Sequence, residues 1–331
     1  MKRIAMWAIA AVICCVTAGP AVAADWKVAH IRPTGAEIDK DLTWFAEEIN
    51  KGTNGKINIK IFGSSQLGDY TVVQERVGLG SVEMSCESIA TQVDKKLLIG
   101  TLQYIVFDYE GGKKMFGTGG PLSNYMSKLF EKQGIKVLGW WPMYFGGIGL
   151  TKEPVEPKNP NVKKNCKIRV PTMKTFEVLA DNMGYQATPL PFSEFFTAAQ
   201  TGMVDGIMGG GAENYYMTFR DLMKWYVPAN THFEIWPLLI NKELYDGLSA
   251  EEKALFDKTA AEFENRRWTK AEADQKKYED LLEESGCKVV RLSSEDLQVF
   301  ANIAKEKVFP EFKKIVGDAA YNEIFTALGM Q

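Results

Sequence analysis

Residues 167–173 read Lys-Ile-Arg-Val-Pro-Thr-Met, KIRVPTM, and the fold is decided by how that stretch is understood. Side chains of a strand alternate between two faces, so Ile168 and Val170 point one way and Lys167, Arg169 and Pro171 the other. Pro171 has no N–H to give to a ladder and stops the strand. Arg169 is then either an edge-strand arginine in water or a cation aimed into a cleft. The flanking sequence places the strand in a layered α/β unit. A helix over about 173–183 ends at Gly184, and a short strand follows near Ala187-Thr188. The run PLPFSEFFTAAQTGMVDGIMGG (189–210) gives a turn, a helix with Ser193 as its N-cap, a stop at Gly202 and a strand over 203–208.

The first half follows the same plan. DWKVAHIRP (25–33) is a strand closed by Pro33, and residues 37–50 carry Ile38, Leu42, Phe45, Ala46 and Ile49 at helical spacing. GKINIKIFG (55–63) alternates, a helix is expected over about 69–79, and a strand over 82–86. GIKVLGWWPMYFGGIGL (134–150) is an apolar strand running into an aromatic, glycine-rich segment, and residues 151–165, with three prolines, form a loop. The rhythm β-α-β-α-β predicts sheets covered by helices, in two units. Ser249 and Glu252 have capping-box spacing, and no proline or glycine follows until Gly286. A helix over 249–285 would be roughly 50 Å long or more at about 1.5 Å per residue. Its polar sequence sustains no heptads, so it is expected to bridge two domains.

A chain of 331 residues, 46% hydrophobic and 24% charged, has the composition of about two globular domains. The net charge of −3 and the lack of a basic patch argue against nucleic acid. Lys2 and Arg3, the apolar run after them and Ala21-Val22-Ala23 form an export signal cleaved near Ala23; its removal takes the net charge to −5. Export also removes Cys14 and Cys15, leaving Cys86, Cys166 and Cys287, which allow one disulfide at most and make no CxxC metal site. Of the two histidines, His30 and His232, neither has a catalytic or metal motif around it. No cofactor or metal is called for. For an enzyme, Asp205 and Glu213 are acid–base candidates only by elimination.

The run KIRVP…LPFSEFFTAAQTGMVDG, together with GKINIKIFGSSQLGDYTVVQERVGLGSVEM and INKELYDGLSAEEKALF, resembles the TRAP-transporter periplasmic solute-binding proteins of the DctP type over nearly the whole mature chain. The resemblance implies an α/β, two-lobed periplasmic-binding-protein-like fold, with mixed β-sheets flanked by helices and one long helix bridging both lobes. Residues 1–23 are the signal peptide. Residues 24–147 with about 233–255 are expected to form lobe I, and 148–232 with about 256–290 lobe II. Residues 291–331 are C-terminal helices packed on the lobes. The implied function is periplasmic binding of a small organic acid by a monomer, with delivery to a TRAP permease and without enzymatic turnover; the alternatives are binding of a C4-dicarboxylate or another organic acid, or delivery to a sensory receptor. By the same resemblance Arg169 holds the ligand carboxylate, and a planar guanidinium with two parallel donors suits that task.

The departures from the family pattern concern the other end of the ligand. Many relatives carry a second arginine where this chain has Ile148, which disfavours a C4-dicarboxylate and favours a monocarboxylate. Gly209, Gly210 and Gly211 form either a flexible turn or, by removing side-chain volume, room beside the expected pocket. Tyr144, Phe145, Phe192, Met208, Asn214 and Trp236 are expected around it with Ile148, as walls for an aromatic or bulky hydrophobic acid, such as an indole or phenyl 2-oxo or amino acid.

Overall fold

The computed structural model describes residues 24–329; the expected export signal, with Cys14, Cys15 and the cleavage point near Ala23, lies outside the described residues. Two mixed sheets form the centres of two lobes. In lobe I, β1 (Ala24–Ala29), β2 (Ile57–Phe62) and β3 (Met84–Cys86) are parallel, and β10 (Phe233–Asn241) joins them antiparallel to β4 (Ile135–Phe145), in the order β2-β1-β3-β10-β4. In lobe II, β5 (Gly147–Leu150), β6 (Lys167–Val170), β7 (Gln186–Pro189), β8 (Gly206–Gly210), β9 (Trp225–Val227) and β11 (Lys288–Val289) run in the order β11-β9-β5-β8-β6-β7. Helix Glu37–Gly52 buries Ile38, Leu42, Phe45, Ala46 and Ile49, the stripe its spacing predicts. Cys86, Cys166 and Cys287 are buried and unpaired.

The expected 249–285 helix is two helices, Ala250–Trp268 and Ala271–Glu284, although the Ser249–Glu252 capping box forms as predicted. No glycine or proline marks the break. The Thr269 hydroxyl donates to the Arg266 carbonyl at 2.7 Å, a local bond that competes with the helical ladder, and Lys270 opens to φ −117°. Buried Arg267 spans the break through its ion pair with Asp274. The first segment packs on β4 and on helix Glu37–Gly52, and the second on helix Ala212–Phe219 and β11. Residues 256–268, expected with lobe II, therefore pack on lobe I, and the bridge bends at the passage between lobes. Ser193 also departs from expectation. Its side chain caps nothing, because the chain enters a short 3-10 turn, Phe192–Glu194, behind Pro191 before helix Phe195–Gln200 begins. Its backbone N–H instead donates to Asp69 Oδ2 of lobe I at 3.3 Å.

The chain crosses between lobes twice more, from β4 to β5 and from β9 to β10, and these strands run side by side. Gly146 N–H donates to the His232 carbonyl at 2.9 Å, and Thr231 N–H donates to the Gly146 carbonyl at 2.8 Å. A β-carbon on Gly146 would lie 2.3 Å from the His232 ring and 2.7 Å from Thr231 Oγ1, so the imidazole occupies the space that a side chain would need. We expect Gly146→Ala to destabilise the fold by about 1–3 kcal/mol through overpacking, read as a lowered denaturant midpoint; an unchanged midpoint would show that the crossover tolerates a side chain.

Candidate functional site

The cleft between the lobes is formed by the ends of these strands. Lobe I contributes Ile31, Arg32, Tyr70, Ser88, Thr101, Glu234 and Trp236; lobe II contributes Arg169, Pro171, Met173, Phe176, Phe192 and Gly209, and His232 lines it beside the crossover. The cavity left between these walls is small, about 20 Å³, room for little more than a water molecule.

Arg169 follows Ile168 at the C-terminal end of β6, between β7 and β8. It is 1% exposed, and its Nε–H donates to the Leu190 carbonyl at 2.9 Å. That bond fixes the guanidinium plane and leaves the Nη nitrogens to other partners. Burial lowers its pKa, with Tyr70 opposing, although an arginine keeps its charge at neutral pH. The phenol of Tyr70 is pushed up to about 12 by burial, with Arg169 opposing, so it enters the cleft uncharged. The Arg169 guanidinium carbon stands 5.8 Å from the centre of the Phe192 ring.

A second buried guanidinium comes from lobe I. Arg32, in the loop after β1, is 2% exposed and donates from Nη2 to the Tyr144 hydroxyl at 2.6 Å. Its guanidinium carbon lies 4.9 Å from the Trp236 ring centre and 5.3 Å from that of Phe192. Arg32 Nε and Nη1 are buried and have no hydrogen-bond partner. Within the chain, then, a charged group is held with two donors unused. The expectation that Ile148 leaves the cleft with one arginine is corrected here: the second cation arrives through a different loop.

Glu234 lines the cleft near Arg32 and reaches the crossover residue His232. Trp236 Nε1–H donates to Oε1 at 2.5 Å, and His232 Nε2 meets Oε2 at 2.9 Å, while His232 Nδ1 meets Thr231 Oγ1 at 3.0 Å. Burial would raise the Glu234 pKa, but the bonds from His232 and Trp236 and the nearby Arg32 outweigh it and hold it below its ordinary value. Glu234 is therefore a carboxylate.

Of the residues expected from sequence, Arg169, Phe192, Gly209 and Trp236 line the cleft, and Tyr144 stands behind it, holding Arg32. Ile148 and Met208 are fully buried opposite one another across β5 and β8, in the lobe II core. Phe145 packs edge-on to Tyr109 and against Phe233, and Asn214 is buried with neither side-chain polar atom bonded. The three glycines do not leave open room. Gly209 has φ +95°, which only glycine adopts easily, and a β-carbon there would lie 2.6 Å from Pro171. A β-carbon on Gly210 would meet Asn214 at 2.8 Å and Tyr215 at 3.0 Å, and one on Gly211 would meet the Tyr144 ring at 2.4 Å. The chain's own side chains fill the space the glycines vacate, so the expected wide apolar compartment is absent around them.

Arg32, Tyr70, His232 and Glu234 were not singled out from sequence as site residues. Arg32 had a readable signal: Ile31-Arg32-Pro33 after β1 has the same design as Ile168-Arg169-Val170-Pro171 at β6, and ligands of α/β sheets gather outside the carboxyl ends of strands. Among the described residues no cluster of three or more His, Cys, Asp or Glu is placed to hold a metal ion, and no helix is long and apolar enough to cross a membrane.

His30 anchors the loop that carries Arg32. Its Nδ1 accepts from Arg32 N–H at 3.2 Å, and its Nε2 faces Asp39 Oδ1 at 3.2 Å, so the imidazole is neutral with its proton on Nε2. Burial lowers its pKa, with Asp39 opposing. A folded-state pKa below the unfolded value of about 6.5 means that the unfolded chain takes up the proton first as pH falls. Stability is then intact above about pH 6.5 and declines below it, toward the folded pKa. We expect the melting temperature to fall between pH 7.5 and 5.5, and to fall less steeply in His30→Gln; equal slopes would remove His30 as the source.

The family description DctP, bacterial extracellular solute-binding protein, family 7, matches residues 28–315. A C4-dicarboxylate-binding periplasmic protein of Rhodobacter capsulatus is 26% identical over 239 residues, which cover 71% of this chain and 70% of that protein. Among solved structures, a TRAP periplasmic solute-binding protein of Haemophilus influenzae with bound L-gulonate is similar with a TM-score of 0.83 at 22% identity, covering 93% of this chain and 99% of that one. Another, from Desulfovibrio salexigens with bound orotic acid, has a TM-score of 0.83 at 21% identity, covering 92% and 98%. At those identities the structural likeness establishes the two-lobed fold.

Proposed function

Because the chain belongs to family 7 of the bacterial extracellular solute-binding proteins, the DctP family, we propose that it captures one small organic acid outside the cytoplasm and delivers it to a TRAP-type membrane permease, with the acid's carboxylate held by Arg169. The observation that carries this reading is a guanidinium 1% exposed, fixed through Nε on Leu190 and lacking an ion-paired carboxylate among the described residues. A buried cation without a protein counter-ion is costly, and a bound carboxylate removes that cost. The planar fork of arginine matches a carboxylate with two parallel bonds.

The remainder of the acid is compact and bears oxygen. Ser88, Thr101, Tyr70 and Glu234 offer hydrogen-bonding groups beside Phe176, Phe192 and Trp236, and the similar proteins carry names or ligands of that chemistry: C4-dicarboxylate, L-gulonate and orotic acid. An indole or phenyl acid has less support, since Ile148, Phe145, Met208 and Gly210 lie outside the cleft wall.

Mass spectrometry of the molecule released from natively purified protein would identify the acid. We expect Arg169→Ala to weaken its binding by about 2–5 kcal/mol, measured by calorimetry. Arg169→Lys should restore only part of that loss, since an ammonium lacks the fork. Near-wild-type affinity in Arg169→Ala would overturn the assignment.

A further inference from the structure

We infer that Glu234 sets the charge of the acid this cleft accepts: by offsetting Arg32 it leaves the site with one net positive charge, matched by a monoanion whose second end is a neutral oxygen acceptor, an oxo or hydroxyl group. The inference rests on the reading of Arg169 as the carboxylate anchor and deepens it. Arg32 stacks 4.9 Å from the centre of the Trp236 ring, and the N–H of that same ring donates to Glu234 at 2.5 Å. Cation and carboxylate thus share one aromatic plate without forming a direct ion pair. If they met directly, the Arg32 donors would be consumed; instead Nε and Nη1 are buried and unpartnered, and an acceptor must come from the ligand.

Charge counting then decides what kind of acceptor. Arg32, Arg169 and Glu234 line the cleft with two positive charges and one negative. Farther back, burial raises the pKa of Glu213, with Arg267 and Arg32 opposing, and raises that of Glu87 strongly, which takes both carboxyls toward their neutral forms. Asp69 stands at the rim, where it accepts from Thr71 and Ser193. A dicarboxylate would place its second charge on Arg32 and against Glu234, and like charges in a desolvated site repel strongly. An oxo or hydroxyl oxygen satisfies the Arg32 donors without that repulsion.

The test compares matched acids at pH 8, where imidazoles are neutral. The probes are gluconate against glucarate, and 2-hydroxybutanoate against butanoate and succinate, followed by thermal shift and calorimetry. In the wild type we expect each oxygenated monoanion to bind at least tenfold more tightly than its dianionic partner, and 2-hydroxybutanoate more tightly than butanoate. Glu234→Gln keeps an acceptor for Trp236 and a hydrogen-bonding edge for His232, so circular dichroism should show an unchanged fold. It should move the dianion-to-monoanion preference at least tenfold toward the dianion. Arg32→Gln should abolish the advantage of 2-hydroxybutanoate over butanoate while Arg169 still binds both. Dianions equal to monoanions in the wild type, or no change of preference in a folded Glu234→Gln, would overturn this inference and leave the anchor at Arg169 standing. No shift from any probe would overturn the underlying reading and this inference together.

Discussion

The fold depends on how closely two strands pass between the lobes. Gly146 and the Thr231-His232 pair exchange backbone hydrogen bonds, and the His232 ring lies where any side chain on Gly146 would have to go. This contact sets the end of β4 and the start of β10 against the start of β5, and His232 in turn bonds Glu234, one of the charged groups of the cleft. A backbone requirement at one glycine is thereby connected, through a single imidazole, to the electrostatics of the binding site.

The two lobes present their cations by the same local device. A parallel strand delivers an arginine at its carboxyl end, proline stops the strand nearby, and the guanidinium is then fixed by one bond, to the Leu190 carbonyl for Arg169 and to the Tyr144 hydroxyl for Arg32. The aromatic ring of Phe192 lies within reach of both. Because each cation belongs to a different lobe, an acid that meets both needs the lobes together. The contact of Ser193 N–H with Asp69 across the cleft supplies a small part of the same closure.

Much of this was legible in the sequence, and the failures have physical causes. Alternation and helical spacing gave the strands and helices because each element buries one face, and Arg169 stood out because it interrupts an apolar strand before a proline. Arg32 has the same pattern, but whether a loop arginine is buried depends on the other lobe, which no local pattern encodes. The glycines at 209–211 suggest open space by sequence alone, whereas Pro171, Tyr215 and Tyr144 fill it from elsewhere in the chain. Ile148 and Met208 stand beside motif residues in sequence, but their strand faces turn them into the core. The break at Thr269-Lys270 escaped because no glycine or proline causes it; a hydroxyl bond and the Arg267–Asp274 pair do.

The bent bridge has a mechanical consequence. Two lobes joined at one crossover could rotate, twist and slide; the paired crossovers at Gly146 and Thr231-His232 define an axis, and the helix pair, anchored to β4 by Arg267 on the Pro142 carbonyl and by Gln275 on Phe145 N–H, adds a strut away in sequence from that axis. Helix Ala271–Glu284 touches both sheets, through Gln275 on β4 and through its packing on β11, so any change in the angle between the lobes would have to be taken up along this helix as well as at the crossovers.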